Sequence, residues 1–193
     1  MGTTFNLAKN LQQIEPDSIF VEIGSDRGEG STKFLADLAQ KFGTVLHTVD
    51  LDKQKANAFD HPSIVWHTGK GSRWTKAKYP PDIGKKISLL YLDNFDWNYW
   101  PTETPDWVYR QIEEYKEKFD IEMNNENSKQ EHLAQAMNLL PWLSDSATVL
   151  CDDTFRIDGK WDGKCGLVVP YLQQFGFSIT TTIRYTGVML SRV

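Results

Sequence analysis

Apolar positions along the chain fall into short continuous runs separated by stretches of helical period. Ile19, Phe20, Val21 and Ile23 make a β-branched and aromatic run bounded by Pro16-Asp17 and Gly24, the pattern of a parallel strand buried on both faces. Phe34, Leu35, Leu38 and Phe42 then recur at helical spacing, with Ser31 or Thr32 as the expected N-cap and Gly43 as a C′ glycine. Val45-Leu46-His47-Thr48-Val49 predicts a second strand that ends on Asp50. A short helix is expected over 53–59, broken by His61-Pro62 before a third strand at 64–67. The clearest buried strand, 87–92, ends on Asp93. Leu133, Met137 and Leu140 predict a helix over 128–143, with Ser128 as N-cap and Glu131 completing a capping box. Another strand, 147–151, runs into Asp152-Asp153, and a helix over 167–175 stops at Gly176. Two β runs, 177–183 and 187–191, joined by a short turn, close the chain as an antiparallel hairpin. Ahead of everything, Phe5, Leu7, Leu11 and Ile14 predict a helix over 3–15 that Pro16 ends.

Strands alternating with helices read as an α/β fold with a mostly parallel sheet. Two stretches stand outside the alternation. Residues 94–127 hold Trp97, Trp100 and Trp107 with Tyr99 and Tyr109, followed by a charged, helix-like run from 108 to 120. A connection this long in a compact domain is usually a lid or binding loop, and its aromatic content also suits an oligomer contact, so a homo-oligomer is open as well. Residues 155–166 read as a polar loop with Gly159, Gly163 and Gly166.

Composition narrows the class. The 193 residues suit a single domain, 1–193, with 40% hydrophobic and 24% charged residues as in water-soluble globular chains. A net charge of −5 provides no basic field to gather nucleic acid, so none is expected as a partner. No apolar run approaches a signal or membrane segment, so the expected address is the cytoplasm, away from the membrane. Cys151 and Cys165 lack any C-x-x-C or metal-finger spacing.

The candidate chemistry begins at the first strand. Glu22-x-Gly24-x-x-x-Gly28-x-Gly30 lets the backbone turn tightly against a ligand, and the amides opening the next helix attract a carboxylate or phosphate. The spacing differs from the G-x-G-x-x-G of dinucleotide folds. Together with Asp50 after the second strand, it resembles motif I and the ribose-binding acid of class I S-adenosylmethionine (SAM)-dependent methyltransferases. That resemblance implies a Rossmann-like three-layer α/β sandwich with sheet order 3-2-1-4-5-7-6. It also implies that Gly24 and Gly28 line the cofactor's amino-acid end, that Ser31 reaches its carboxylate, and that Asp50 accepts from both ribose hydroxyls. Glu22, Asp26 and Leu51 belong to the same implied set. Gly71, Ser72 and Arg73 fall where the family holds adenine, and Asp93 is a site residue because ligands sit outside the carboxyl ends of such strands.

Asp93, Asp152 and Asp153 end two strands expected to be neighbours, and three carboxylates so close need a cation among them. Mg²⁺ is the simple answer, and the trio resembles the metal site of the catechol and macrolide-sugar O-methyltransferases. On that resemblance a small-molecule acceptor hydroxyl (sugar, phenol or secondary metabolite) becomes more acidic on Mg²⁺ and attacks the sulfonium methyl. Those relatives carry a Lys or His base three residues after the first metal ligand; this chain has Asp96 there, leaving Asp96 first and His132 second as candidate bases. Metal-independent N- or O-methylation, or a non-catalytic SAM-binding protein that uses the aromatic stretch as an interface, are the alternatives. A metal-dependent hydroxylase finds no separate 2-His-1-carboxylate set here.

Overall fold

The computed structural model describes residues 4–25, 30–52, 60–100, 102–183 and 186–192. In order, these form a 3-10 helix (Thr4–Asn10), β1 (Ile19–Ile23), α1 (Ser31–Lys41), β2 (Leu46–Asp50), β3 (Ile64–Thr68), α2 (Gly71–Ala77), α3 (Tyr79–Asp82) and β4 (Ile87–Leu92). There follow α4 (Asp106–Phe119), α5 (Asn125–Leu139), β5 (Leu143–Asp152), β6 (Thr154–Ile157), β7 (Lys160–Gly163), α6 (Val168–Gln173), β8 (Phe177–Ile183) and β9 (Gly187–Arg192).

Seven strands share one sheet in the order β3-β2-β1-β4-β5-β9-β8, while β6 and β7 pair separately. With that small hairpin set aside, the order is the expected 3-2-1-4-5-7-6. The pairs from β3 to β5 are parallel, and β9 runs antiparallel to both β5 and β8. Every side chain of β1 and β4 is buried, which is why both read as unbroken apolar runs. Edge strand β8 instead alternates, with Ser178, Thr180 and Thr182 exposed.

The period of two divides the core between the sheet's faces. Ile19, Val21 and Ile23 join Leu90, Leu92 and Val149 against Trp74 of α2, Ala136 and Leu139 of α5, and Val168 and Leu172 of α6. Phe20, Leu46, Leu89 and Tyr91 pack instead against Leu35, Ala36 and Leu38 of α1 and Leu7 and Ala8 of the 3-10 helix. Each fully buried Val, Leu, Ile or Phe side chain among them contributes about 1.5–3 kcal/mol.

Several local expectations are revised. The N-terminal helix is a seven-residue 3-10 helix, Thr4–Asn10, that buries Thr4, Leu7 and Ala8, and it ends well before Pro16. Helix α1 has Gly30 at its N-cap with φ +70° and no side-chain cap, so Ser31 already lies inside the helix. Gly43, at φ +68°, does take the left-handed C′ conformation. The helix around 128 begins earlier: Asn124 caps it by accepting from Asn127 N at 2.7 Å, which leaves Ser128 and Glu131 inside the helix and buried. The predicted loop at 155–166 contains the β6–β7 hairpin, turned by Asp158 and Gly159 at φ +50° and +78°. An Asp-Gly turn with both residues at positive φ matches strand twist, and that dipeptide is its sequence signal. The helix expected over 53–59 lies outside the described residues. No helix among the described residues is long and apolar enough to cross a membrane.

Candidate cofactor and acid site

The parallel register brings the carboxyl ends of β2, β1, β4 and β5 into a row, pairing Ile23 with Val49 and with Leu92, and Leu92 with Cys151. Asp50, Gly24, Asp93 and Asp152 therefore stand side by side at one edge. Gly24 N donates to Val49 O and Asp93 N to Ile23 O, so the loops leaving β1 and β4 stay in contact beyond the strands. Gly24 has φ +98°, and a Cβ there would lie 2.5 Å from Asn94 N. Only glycine suits both conditions.

Asp50 organises this end of the sheet. Its Oδ2 accepts from Ser25 N at 3.2 Å and its Oδ1 from Asp52 N at 2.8 Å. Leu51 between them is half-buried. Glu22, one strand over, is fully buried; Thr48 Oγ1 donates to its Oε2 at 2.7 Å, and Oε1 has no partner among the described residues. Burial pushes its carboxyl up to about 7, with the hydroxyls of Thr48, Ser31 and Thr32 partly offsetting the shift. Asp26 and Gly28 lie outside the described residues.

The stretch expected to hold adenine opens α2, and its polar groups are already committed. Ser72 N and Oγ donate to the two oxygens of Glu131 at 2.7 and 2.8 Å, and Lys70 Nζ lies 3.3 Å from the same carboxylate. Gly71 is pressed against α5, where a Cβ would meet Gln135 Nε2 at 2.5 Å. Arg73 is exposed. Glu131, read from sequence as a capping-box partner of its own helix, instead caps α2.

One oxygen each from Asp93, Asp152 and Asp153 lies within 4.8 Å of the others, so the acids do converge. A lysine sits among them. Lys164 Nζ, whose side chain is 4% exposed, is 2.8 Å from Asp93 Oδ1 and 3.1 Å from Asp153 Oδ2. The other two oxygens of these residues also take donors: Tyr91 OH bonds Asp93 Oδ2 at 2.9 Å, and Tyr99 OH bonds Asp153 Oδ1 at 2.8 Å. Burial by itself would lower the Lys164 ammonium, but Asp93, Asp153, Asp96 and Asp152 outweigh it and hold it well above the usual lysine range. Asp152 is raised to about 8 by burial and then by Asp93, against the lowering effect of Lys164, and its Oδ1 has no partner among the described residues. An Mg²⁺ ion requires oxygens at about 2.0–2.1 Å in near-octahedral array. Gathering Asp93 and Asp153 around one would require breaking their bonds to Lys164, so the residues as arranged do not fit the metal.

The two candidate bases are not brought together. Asp96 is exposed on the 94–127 stretch, where it accepts from Gln111 Nε2. His132 is fully buried on α5; its Nδ1 lies 2.7 Å from Ser128 O and therefore carries the proton, while Nε2 has no partner among the described residues. Burial lowers this imidazole to about 4, with the Ser128 carbonyl partly opposing the shift and Lys164 adding to it.

Over the acids, Tyr99 stacks on Phe155 of β6 at 6.2 Å, and Trp97 meets the same ring edge-on. Lys129 of α5 pairs with Asp162 of β7 at 2.7 Å and lies over Trp97. The aromatic stretch and the β6–β7 hairpin thus close on one another above Asp153. Phe155 also lines a cavity of about 350 Å³ with Arg156, Trp161, Thr182, Ile183 and Val188. Sequence reasoning missed Lys164 and the hairpin; three acids demanding a cation, and the Asp-Gly turn, were the signals for them.

No protein-family model matches the chain, and no curated protein matches it by sequence. Solved structures do match in three dimensions. A Streptococcus mutans protein in complex with SAH is 12% identical with TM-score 0.58, over 100% of this chain and 99% of that one. A SAM-dependent methyltransferase from Aquifex aeolicus is 10% identical with TM-score 0.55, over 100% and 90%. The fold is that of the class I methyltransferases. Fibrillarin of Methanococcus jannaschii, a pre-rRNA processing protein, also shares it, at 14% identity and TM-score 0.55 over 95% and 69% of the two chains. Identities this low carry architecture only.

Proposed function

We propose that the chain binds S-adenosylmethionine across the carboxyl ends of β1, β2 and β4 and transfers its methyl group to the oxygen of a small hydroxylated acceptor. The observation that carries this reading is the row of Asp50, Gly24 and Asp93 at one sheet edge, with Gly24 in a backbone conformation that leaves no room for a side chain. The match to a protein in complex with SAH supports it. Asp50 takes the ribose hydroxyls, since a carboxylate only accepts and a diol can donate twice. Glu22, Gly24 and Ser31 hold the amino-acid end, and Leu51 and residues 71–73 flank the base.

Within one domain, residues 94–127 cover the acceptor. Tyr99 and Trp97 offer faces on which a sugar or aromatic ring can stack beside Asp153. Displacement at the methyl group is in line, so the chain's part is to align the acceptor and exclude water. Asp96, near enough for its charge to act on Lys164, remains the candidate base at the rim. Exposure of Trp100, Trp107 and Tyr109 favours a second use of this stretch as an interface with another copy of the chain.

Calorimetric titration with SAH tests the cofactor assignment. Micromolar binding is expected, and Asp50→Ala should weaken it by about 1.5–3 kcal/mol, or roughly 10- to 150-fold. No binding by the unaltered protein, or affinity unchanged by Asp50→Ala, refutes the assignment.

A further inference from the structure

We infer that the Lys164 ammonium is the built-in cation of the acid cluster and fills the place a divalent ion would take, so that Asp93, Asp152 and Asp153 hold no metal while Lys164 is present. All four oxygens of Asp93 and Asp153 are engaged by protein groups: Asp93 Oδ1 accepts from Lys164 and Asp153 Oδ2 is ion-paired with the same ammonium, while Tyr91 and Tyr99 each donate to one of the other two. A metal ion entering here would compete with each of those donors and would also be repelled by an ammonium held about 3 Å from the same oxygens.

The lysine is anchored and does not swing in from solvent. Lys164 N donates to Asp153 O at 3.0 Å, and the neighbouring Cys165 N donates to Thr154 Oγ1 at 3.2 Å. Gly163, at φ +88°, lies so close to Asp153 O that a Cβ there would collide with it. The end of β7 is thereby pinned against the start of β6, and the Lys164 side chain is directed onto the strand ends. The acids of β4 and β5 receive their compensating charge from the loop that follows the inserted hairpin. Lys164 acts as a positioning residue: it fixes Asp153, and through Asp153 it fixes Tyr99 over the site. Methyl transfer in this site would proceed without Lewis-acid activation of the acceptor.

The contacts of Lys164 do not depend on the cofactor, and only the consequence for methyl transfer rests on the proposed function. The test is a titration of the SAH-free protein with Mn²⁺ followed by electron paramagnetic resonance, with folding checked by circular dichroism. The unaltered protein should show no bound Mn²⁺ at about 100 µM, whereas Lys164→Ala, with room and uncompensated charge, should gain Mn²⁺ affinity by about tenfold or more. Adding Asp153→Asn to Lys164→Ala should remove that gain. Mn²⁺ binding by the unaltered protein that Asp153→Asn abolishes overturns the inference. A folded Lys164→Ala protein without gained affinity overturns it as well. If Lys164→Ala does not fold, the comparison of the unaltered protein with Asp153→Asn still decides. SAH affinity is read separately, so failure here and failure of the cofactor assignment are distinguishable.

Discussion

Replacing Glu22 with Gln should remove a measurable part of the protein's pH dependence. Glu22 is fully buried in β1, with one oxygen bonded by Thr48 and the other without a partner among the described residues. In the unfolded chain its carboxyl releases its proton near 4.5; in the fold burial raises this to about 7. Between those values the folded state binds one proton more than the unfolded state, so stability falls as pH rises. The contribution is fully present below 4.5 and is lost as pH passes 7, and the gap corresponds to about 3 kcal/mol. Glutamine resembles the protonated acid in shape and can still accept from Thr48, but it does not titrate. Urea denaturation of ligand-free protein from about pH 4 to about pH 8 gives the unfolding free energy of each form. Subtracting Glu22→Gln from the unaltered protein cancels most other titrations, and the difference should shift against the unaltered protein by about 3 kcal/mol across the range. A difference independent of pH would show that the buried carboxyl is compensated by a partner or by water, and the reasoning would fail.

Two further outcomes follow from the same physics. Gly24→Ala combines a left-handed backbone with a Cβ at 2.5 Å from Asn94 N, so it should cost about 2–4 kcal/mol in denaturation and weaken SAH binding; a loss under about 0.5 kcal/mol would sink the close-approach account. His132 is lowered to about 4 from 6.5, so the unfolded chain takes up the proton first and its contribution is lost as pH falls from 6.5 through 4. His132→Asn should flatten that acid limb by about 3 kcal/mol, and an unchanged slope would refute the burial of a neutral imidazole.

The parts of this protein legible in the sequence are those governed by near neighbours in the chain. Ile19 to Ile23 and Ile87 to Leu92 read as central parallel strands because a strand buried on both faces has no polar alternation to interrupt it. Asp50 and Asp93 follow such runs directly, so their place at the carboxyl edge came with the strands. The left-handed turn at Gly43 was equally local. The hairpin at Asp158-Gly159 carried its signal too, although the flanking polar residues masked it as a loop.

Pairings between distant residues could not be read this way. Ser72 looks available in the sequence, but a glutamate 59 positions later takes both its amide and its hydroxyl. Lys164 lies 71 positions from Asp93, and nothing local distinguishes this buried lysine from the surface lysines of a polar segment. Its burial depends on β5 lying beside β4 and on the hairpin returning the chain to the ends of both. Hydrophobic period and turn chemistry, which act within a few residues, were thus enough to determine the seven strands of the main sheet and the acids at their ends, but not the β6–β7 hairpin. Which cation neutralises those acids was decided only by tertiary structure, because charge compensation depends on distance in space and strand order sets that distance without regard to separation along the chain.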